Sequence, residues 1–260
     1  MTSSFARFAL ASAILCAVIS AAQDSQPAGG SPTPQPQSTP QGAPAQGKDD
    51  QNKPAPGQAD SKSGTSNDRL FYALPNFLTL ENGAHVPPLT AKQKFKVVAR
   101  GSFDYIQLPW YGALAGISQA ENSEPGYGQG AEGYGKRFGS AFADGTIENF
   151  MTGAVLPSLL HQDPRFFQSS EGGFAHRAGY AVSRIFITRT DSGKKQFNFS
   201  EIFGSAIAAG ISTYSYHPRA DKTVDNALSV WGSEVGYDTI TIVIKEFWPD
   251  IRRKLSKNKK

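Results

Sequence analysis

Three rows of residues, each advancing by four positions, run through the middle of the chain. Ala131, Gly135, Gly139 and Ala143 form a row of small side chains, Phe138 and Phe142 lie beside it, and Glu132, Lys136, Ser140, Asp144 and Glu148 form a polar row. Residues four apart share one face of a helix, whereas strand alternation would mix Phe138, Ser140, Phe142 and Asp144 on one side. The pattern predicts a helix over about 130–155, with Pro157 bending or restarting it. Its centre, FGSAFADGTI at 138–147, is echoed by FGSAIAAGIS at 203–212 and more loosely by WGSEVGYDTI at 231–240. Each copy has a second small residue four after its glycine: Gly139 and Ala143, Gly204 and Ala208, Gly232 and Gly236. Glycine weakens a helix by up to about 1 kcal/mol relative to alanine, so these pairs, with Gly135, predict helices packed closely against a neighbouring backbone.

Weaker periodicities fill in the remaining elements. Thr90 is a natural N-cap for a helix whose apolar side carries Phe95, Val98 and Ala99 and whose other positions carry Lys92, Lys94, Lys96 and Arg100. A short buried helix is expected at 110–117 and another helix at 174–190, followed by a turn at Asp191, Ser192 and Gly193. Asn198 or Ser200 caps the helix of the second echo, which His217 and Pro218 end. Val224, Leu228, Trp231, Val235 and Ile242 mark a last helix. TITIVI at 239–244 also has a strand's β-branched alternation, but the periodic residues on either side are in helical phase. The fold class expected is therefore mainly α, a single domain of five or six helices packed through Gly and Ala faces.

Composition divides the chain into unlike parts. Residues 1–22 have the form of an export signal, with Arg7, an apolar run too short to span a bilayer, and small residues that place cleavage after Ala22. That run holds the one cysteine, Cys16, so the mature chain would have neither disulfides nor thiolate ligands. Residues 23–67 hold eight of the seventeen prolines and no aromatic residue, the composition of a disordered linker. Residues 68–251 are read as the helical domain and 252–260 as a basic tail. From residue 68 onward 22 bases face 18 acids, but six of the bases fall in that tail, leaving 16 against 18. The body is thus slightly acidic, which argues against nucleic acid as a partner. The tail could meet an anionic membrane or wall polymer, and an exposed Gly and Ala strip could support a homo-oligomer.

Chemical motifs are sparse. Gly128, Gly130 and Gly133 fit a dinucleotide-binding spacing literally, but no apolar strand precedes them, and no cofactor is expected from them. No Gly-x-Ser-x-Gly elbow is present. Glu121 and Glu124 read as a solvated helix end. Two groups combine His, Asp and Arg: His161 with Asp163 and Arg165, and His217 with Arg219 and Asp221. His161, Asp163 and His217, with Glu148 and Asp144, could hold a divalent metal or share acid and base roles in a hydrolase. Helix-end capping accounts for the same histidines without chemistry, since imidazolium suits a helix C-terminus and Asp the next N-terminus. The reading favoured by the sequence is a non-enzymatic exported protein of a bacterial periplasm or cell envelope, a structural or binding module held near a membrane or wall polymer. The hydrolase is the alternative, and convergence of His161, His217 and Glu148 is what would distinguish them.

Overall fold

A computed structural model describes residues 65–257 apart from 72, 82–85 and 170. The export signal, its cleavage after Ala22, all of the linker up to 64 and the last three tail residues lie outside the described residues. Within them the chain is mainly helical, with six helices and several short strands.

Order begins before the domain boundary expected at residue 68. Thr65 and Ser66 are buried, and the Ser66 N–H donates to the Phe77 carbonyl at 3.0 Å. Two minimal strands, β1 at Arg69–Leu70 and β2 at Leu74–Pro75, pair antiparallel, and β3 at Thr79–Leu80 pairs parallel with β5 at Phe166–Phe167. Helix α1, Ala91–Ser102, opens on Thr90 as the sequence predicts. The Thr90 hydroxyl accepts from the Gln93 N–H while the Gln93 side chain accepts from the Thr90 N–H, so two orphan donors are satisfied together.

Helix α2 is longer than expected, Gln107–Glu121, and stops at Asn122, whose left-handed backbone (φ 48°) closes its C-terminus. Helix α3 runs from Gly130 to Phe150. A π-helical turn at Met151–Val155 follows, and a last α-turn at Leu156–Leu159 contains Pro157. Pro157 cannot supply the N–H an unbroken helix needs, and the widened turn before it absorbs the mismatch: the Leu156 N–H reaches back to the Met151 carbonyl.

The stretch expected to be helical over 174–190 divides. Helix α4 covers Phe174–Phe186, and the chain then extends into β6, Ile187–Thr190, which turns at Asp191–Gly193 into β7, Lys195–Phe197. β4, Gln162–Asp163, completes this three-stranded antiparallel sheet in the order β4-β6-β7. Ile187 and Thr188 are β-branched, and Ile187 sits opposite Phe197 in the register, a cross-strand pair that outweighs helical continuation. Asn198 then caps helix α5, Phe199–Ser215, by accepting from the Glu201 N–H. Helix α6 spans Val224–Lys257 without interruption, so TITIVI is helical. Of the residues read as a basic tail, 252–257 are the end of this helix: Arg252 is held by Asp68 and Glu81, and Arg253 by Asp250.

α3 packs on α2 and α5, and α5 and α4 pack on α6. Apolar contact is divided among small clusters: Phe77, Leu89, Val97, Val98 and Ala154; Leu70, Ile244 and Trp248; Phe166, Ala181, Val243 and Phe247. Between them lie buried ions. Lys94, placed by the sequence off the apolar side of α1, is 1% exposed and donates to the Pro157 and Gln162 carbonyls and to both Asp191 oxygens. Arg177 holds the fully buried Glu246 together with Asp250.

The small-residue rows have different fates. A Cβ on Gly204 would lie 3.1–3.2 Å from Thr152 and from the Met151 and Thr152 backbone, and Ala208 is buried, so this face of α5 does meet a neighbouring backbone. On α3 the tight approaches are at Gly133, where a Cβ would strike the Gly128 carbonyl, and at Gly145, where it would strike the Tyr111 ring. Gly135, Gly139 and Gly232 have nothing within 4 Å of that point, so the close packing that the spacing predicts is not made there. On α3 the polar row divides: Glu132 and Lys136 are exposed, while Ser140 is buried and Asp144 and Glu148 half-buried, beside buried Gly133 and Arg137, and Ala131, Gly135 and Gly139 of the small-residue row are exposed.

Candidate functional site

The inward half of α3's polar row, Ser140, Asp144 and Glu148, builds one continuous feature with residues from α5 and α6. At its first end, His217 follows α5, where Pro218 stops the helix and turns the ring back over α3. The ring is buried, with Nε2 3.0 Å from Ser140 Oγ and 3.4 Å from both Asp144 oxygens, and Nδ1 3.4 Å from Glu124 Oε1. Tyr127 donates to Ser140 Oγ at 2.9 Å. Asp144 is held further by Tyr216, whose hydroxyl donates to Oδ1 at 2.5 Å, and by Ser212. Burial works against a charge on His217, but hydrogen bonding and attraction from Asp144 and Glu124 outweigh it and push the imidazole up to about 9.

That protonation state decides what the group can do. A Ser–His–Glu line, Ser140 to His217 to Glu124, has the connectivity of a nucleophile and its base. Yet an imidazolium has no lone pair to take the Ser140 proton. The cluster therefore reads as a buried cation held between two carboxylates, fixing the α5–α6 corner on α3.

One turn further along α3 the charges become carboxylates alone. Glu148 on α3, Glu201 on α5, and Glu234 and Asp238 on α6 face one another, with Lys245 two turns beyond Asp238. Glu148 Oε1, Glu201 Oε1 and Glu234 Oε2 are sealed from solvent without a donor. Burial, and then repulsion from Asp238, raises Glu148 and Glu201 well above the usual carboxylate range. Burial, then Asp144 and Asp238, pushes Glu234 up to about 9. Two carboxyl groups in hydrogen-bonding contact must share a proton, which is how Asp238 can bond both Glu148 and Glu201. Burial lowers Lys245 against the opposing pull of Asp238 and Glu201, and raises Tyr111 on α2, beside Glu148 and Asp144, to about 12.

The residues singled out by sequence are thus dispersed. Asp144 and His217 meet. Glu148 belongs to the carboxylate group. Asp163 is committed to Arg165 through paired contacts of 2.6–3.1 Å, buried on both sides. His161 is 85% exposed in its side chain, has a left-handed backbone (φ 52°), and lies 4.0 Å from Asp191. It shares no partner with His217, and among the described residues no three His, Asp or Glu side chains come together in a way that would hold a metal ion. Glu124, read from the sequence as part of a solvated helix end, instead faces the His217 ring, and Ser140, Tyr127, Ser212, Tyr216, Glu201, Glu234, Asp238 and Lys245 had no chemical role read from the sequence. The step-of-four rows Ser140, Asp144, Glu148 and Glu234, Asp238 were the available signal, and both face inward.

The outer face of α5 is the converse. Its buried positions are Ser200, Gly204, Ser205, Ala208, Ala209, Ser212 and Thr213. Its exposed positions are Phe199, Phe203, Ile207, Ile211 and Tyr214, 38–53% accessible, at helical spacing on one side. Phe197 and Phe186 extend the stripe beyond the start of the helix, with Phe197 5.0 Å from Phe199 and Phe199 stacked on Phe203 at 6.0 Å. Exposed Lys194 and Lys195 stand at that end. Lys222, donating to the Tyr214 and Ser215 carbonyls, stands at the other. Among the described residues no helix is long and apolar enough to cross a membrane. Comparison with models of known protein families, with curated proteins and with solved structures finds no significant match.

Proposed function

We propose that the protein is a non-enzymatic module of a bacterial envelope that lies on a lipid bilayer, seated through the outer face of α5. The observation that carries this reading is the inverted polarity of that helix, with hydroxyl and carboxyl groups inside and five large apolar side chains outside. A 17-residue helix lying flat extends about 25 Å and sinks one face into the headgroup boundary. Five side chains still about half exposed would gain about 1 kcal/mol each on entering the acyl region. The lysines at the two ends suit anionic headgroups. A partner protein would also cover an apolar stripe, but cations at both ends and an uncharged run over 202–216 fit a lipid surface better. Arg252 is already held by Asp68 and Glu81, so less of the attraction to lipid falls to the chain's end than its composition suggests.

The test is co-sedimentation of residues 23–260 with phosphatidylcholine vesicles containing or lacking phosphatidylglycerol, beside the Ile207→Asp and Phe203→Asp variants. Binding that is stronger on the anionic vesicles and lost in both variants, at unchanged melting temperature, is the expected result. The reading fails if the wild-type chain stays in the supernatant with both vesicle types. It also fails if ultracentrifugation shows a dimer that Ile207→Asp dissociates, since a second copy would then occupy the face.

A further inference from the structure

We infer that the cavity enclosed by α4, β4, β6, α5 and α6 is a binding site for a phosphate-sized oxyanion, held by Arg184, Arg189 and Lys245. The cavity has a volume of about 130 Å³, roughly that of four water molecules in the liquid. It is lined by Tyr180 and Arg184 of α4, Asp163 and Arg165 beside β4, Arg189 of β6, Glu201 of α5, and Asp238 and Lys245 of α6.

The cations of this lining are not alike. Arg165 is neutralised by Asp163. Arg184 and Arg189 have no carboxylate partner among the described residues, although Arg177 on the same helix as Arg184 holds two. Arg184 Nε is buried without an acceptor. Burial lowers the basicity of Arg184, and Arg189 is close enough to lower it further by repulsion. Arg184 lies over the Tyr180 ring at 5.0 Å and Arg189 over the Phe167 ring at 4.5 Å. The guanidinium faces are thereby occupied and their N–H edges are left for an anion.

On the opposite wall burial, and then Asp238, raises Glu201 well above the usual carboxylate range, which weakens the negative charge that wall presents. A half-buried cation pair without a counter-ion is unfavourable. One oxyanion receiving both guanidinium edges and the Lys245 ammonium would remove that penalty, and planar guanidinium forks match phosphoryl oxygens. The phosphoryl group could be free inorganic phosphate or the headgroup of a phosphomonoester lipid. The site does not depend on the seating of α5, because the cavity lies on that helix's inner side.

Titration calorimetry of residues 23–260 with inorganic phosphate at pH 7, at constant ionic strength against chloride, tests the site. One saturable phosphate is expected, and Arg184→Gln and Arg189→Gln should each weaken it at least about tenfold, the loss of one charge-assisted contact. Because each replacement removes an unpaired cation, the ligand-free melting temperature should hold or rise, which a structural arginine would not allow. Ile207→Asp and Lys195→Gln should leave phosphate binding unchanged. If short-chain phosphatidic acid binds in an Arg184-dependent way and inorganic phosphate does not, the same oxyanion site takes its ligand from lipid. Binding of neither probe, or binding that survives the Arg184→Gln, Arg189→Gln double variant, overturns the assignment.

Discussion

Glu234→Gln should make the protein more stable at neutral pH and leave it unchanged in acid. In the folded chain Glu234 faces Asp144 from α3 and Asp238 from its own helix, with Glu148 and Glu201 beyond, and burial with this company pushes it from 4.5 up to about 9. The folded state therefore keeps a proton that the unfolded state releases above pH 4.5. Holding it at pH 7, about 2.5 pH units higher, costs about 3 kcal/mol at about 1.4 kcal/mol per unit. The sign follows: stability is undiminished by this group below pH 4.5 and falls as pH rises toward 9. Glutamine has the shape of the protonated acid and no proton to lose. The variant should gain about 3 kcal/mol at pH 7 and nothing at pH 4. Urea titrations at the two pH values read this directly, since a slope of about 2 kcal/mol per molar makes it a midpoint shift of about 1.5 M. His217, whose contribution is complete below 6.5 and lost toward about 9, changes in the same direction in both proteins and cancels in the comparison. A midpoint shift equal at pH 4 and pH 7, or a variant less stable than wild type at pH 7, would refute the reasoning.

Other perturbations separate the contacts that hold the fold from those that only look as if they should. Lys94→Met removes a buried ammonium from two carbonyls and Asp191 and should cost about 3 to 5 kcal/mol in chemical denaturation. Gly204→Val forces side-chain atoms into the Met151 and Thr152 backbone and should lower stability by at least about 2 kcal/mol. Gly139→Ala meets nothing within 4 Å and should instead raise stability by up to about 1 kcal/mol through helix propensity, measurable as a higher melting temperature.

The helices were legible where local chemistry decides them. Thr90 with Gln93, Asn198 with Glu201, and the His217–Pro218 stop are short-range signals, and each end stands within a residue or two of where the sequence puts it. The step-of-four periodicity also placed α3, but it could not say which of its three rows faced inward. Small residues usually mark the packed face and charged ones the solvated face. On the second half of α3 that rule fails, because Ser140 and Asp144 find partners in Tyr127, 13 positions before Ser140, and in His217, more than seventy positions on. The same long-range supply hid the carboxylate group, which takes members from three helices. It hid the β6–β7 hairpin too, whose pairing of Ile187 with Phe197 overrode a helical start. His161 and His217 sit in similar local sequences, yet one is a surface residue on a strained turn and the other is buried between carboxylates.

The clasp between the first and last described segments bears on the order in which the chain can fold. Leu70 packs with Ile244 and Trp248 of α6, and Asp68 accepts from Trp248 and Arg252 across 180 and 184 positions. The arm is synthesised well before α6, so Asp68 and Leu70 must wait for these partners while the residues between them are made. Contacts of such separation close large loops and form late. Refolding should therefore show Trp248 reporting the final step, after the α2, α3 and α5 layer has assembled, with the arm acting as the latch that locks the finished domain.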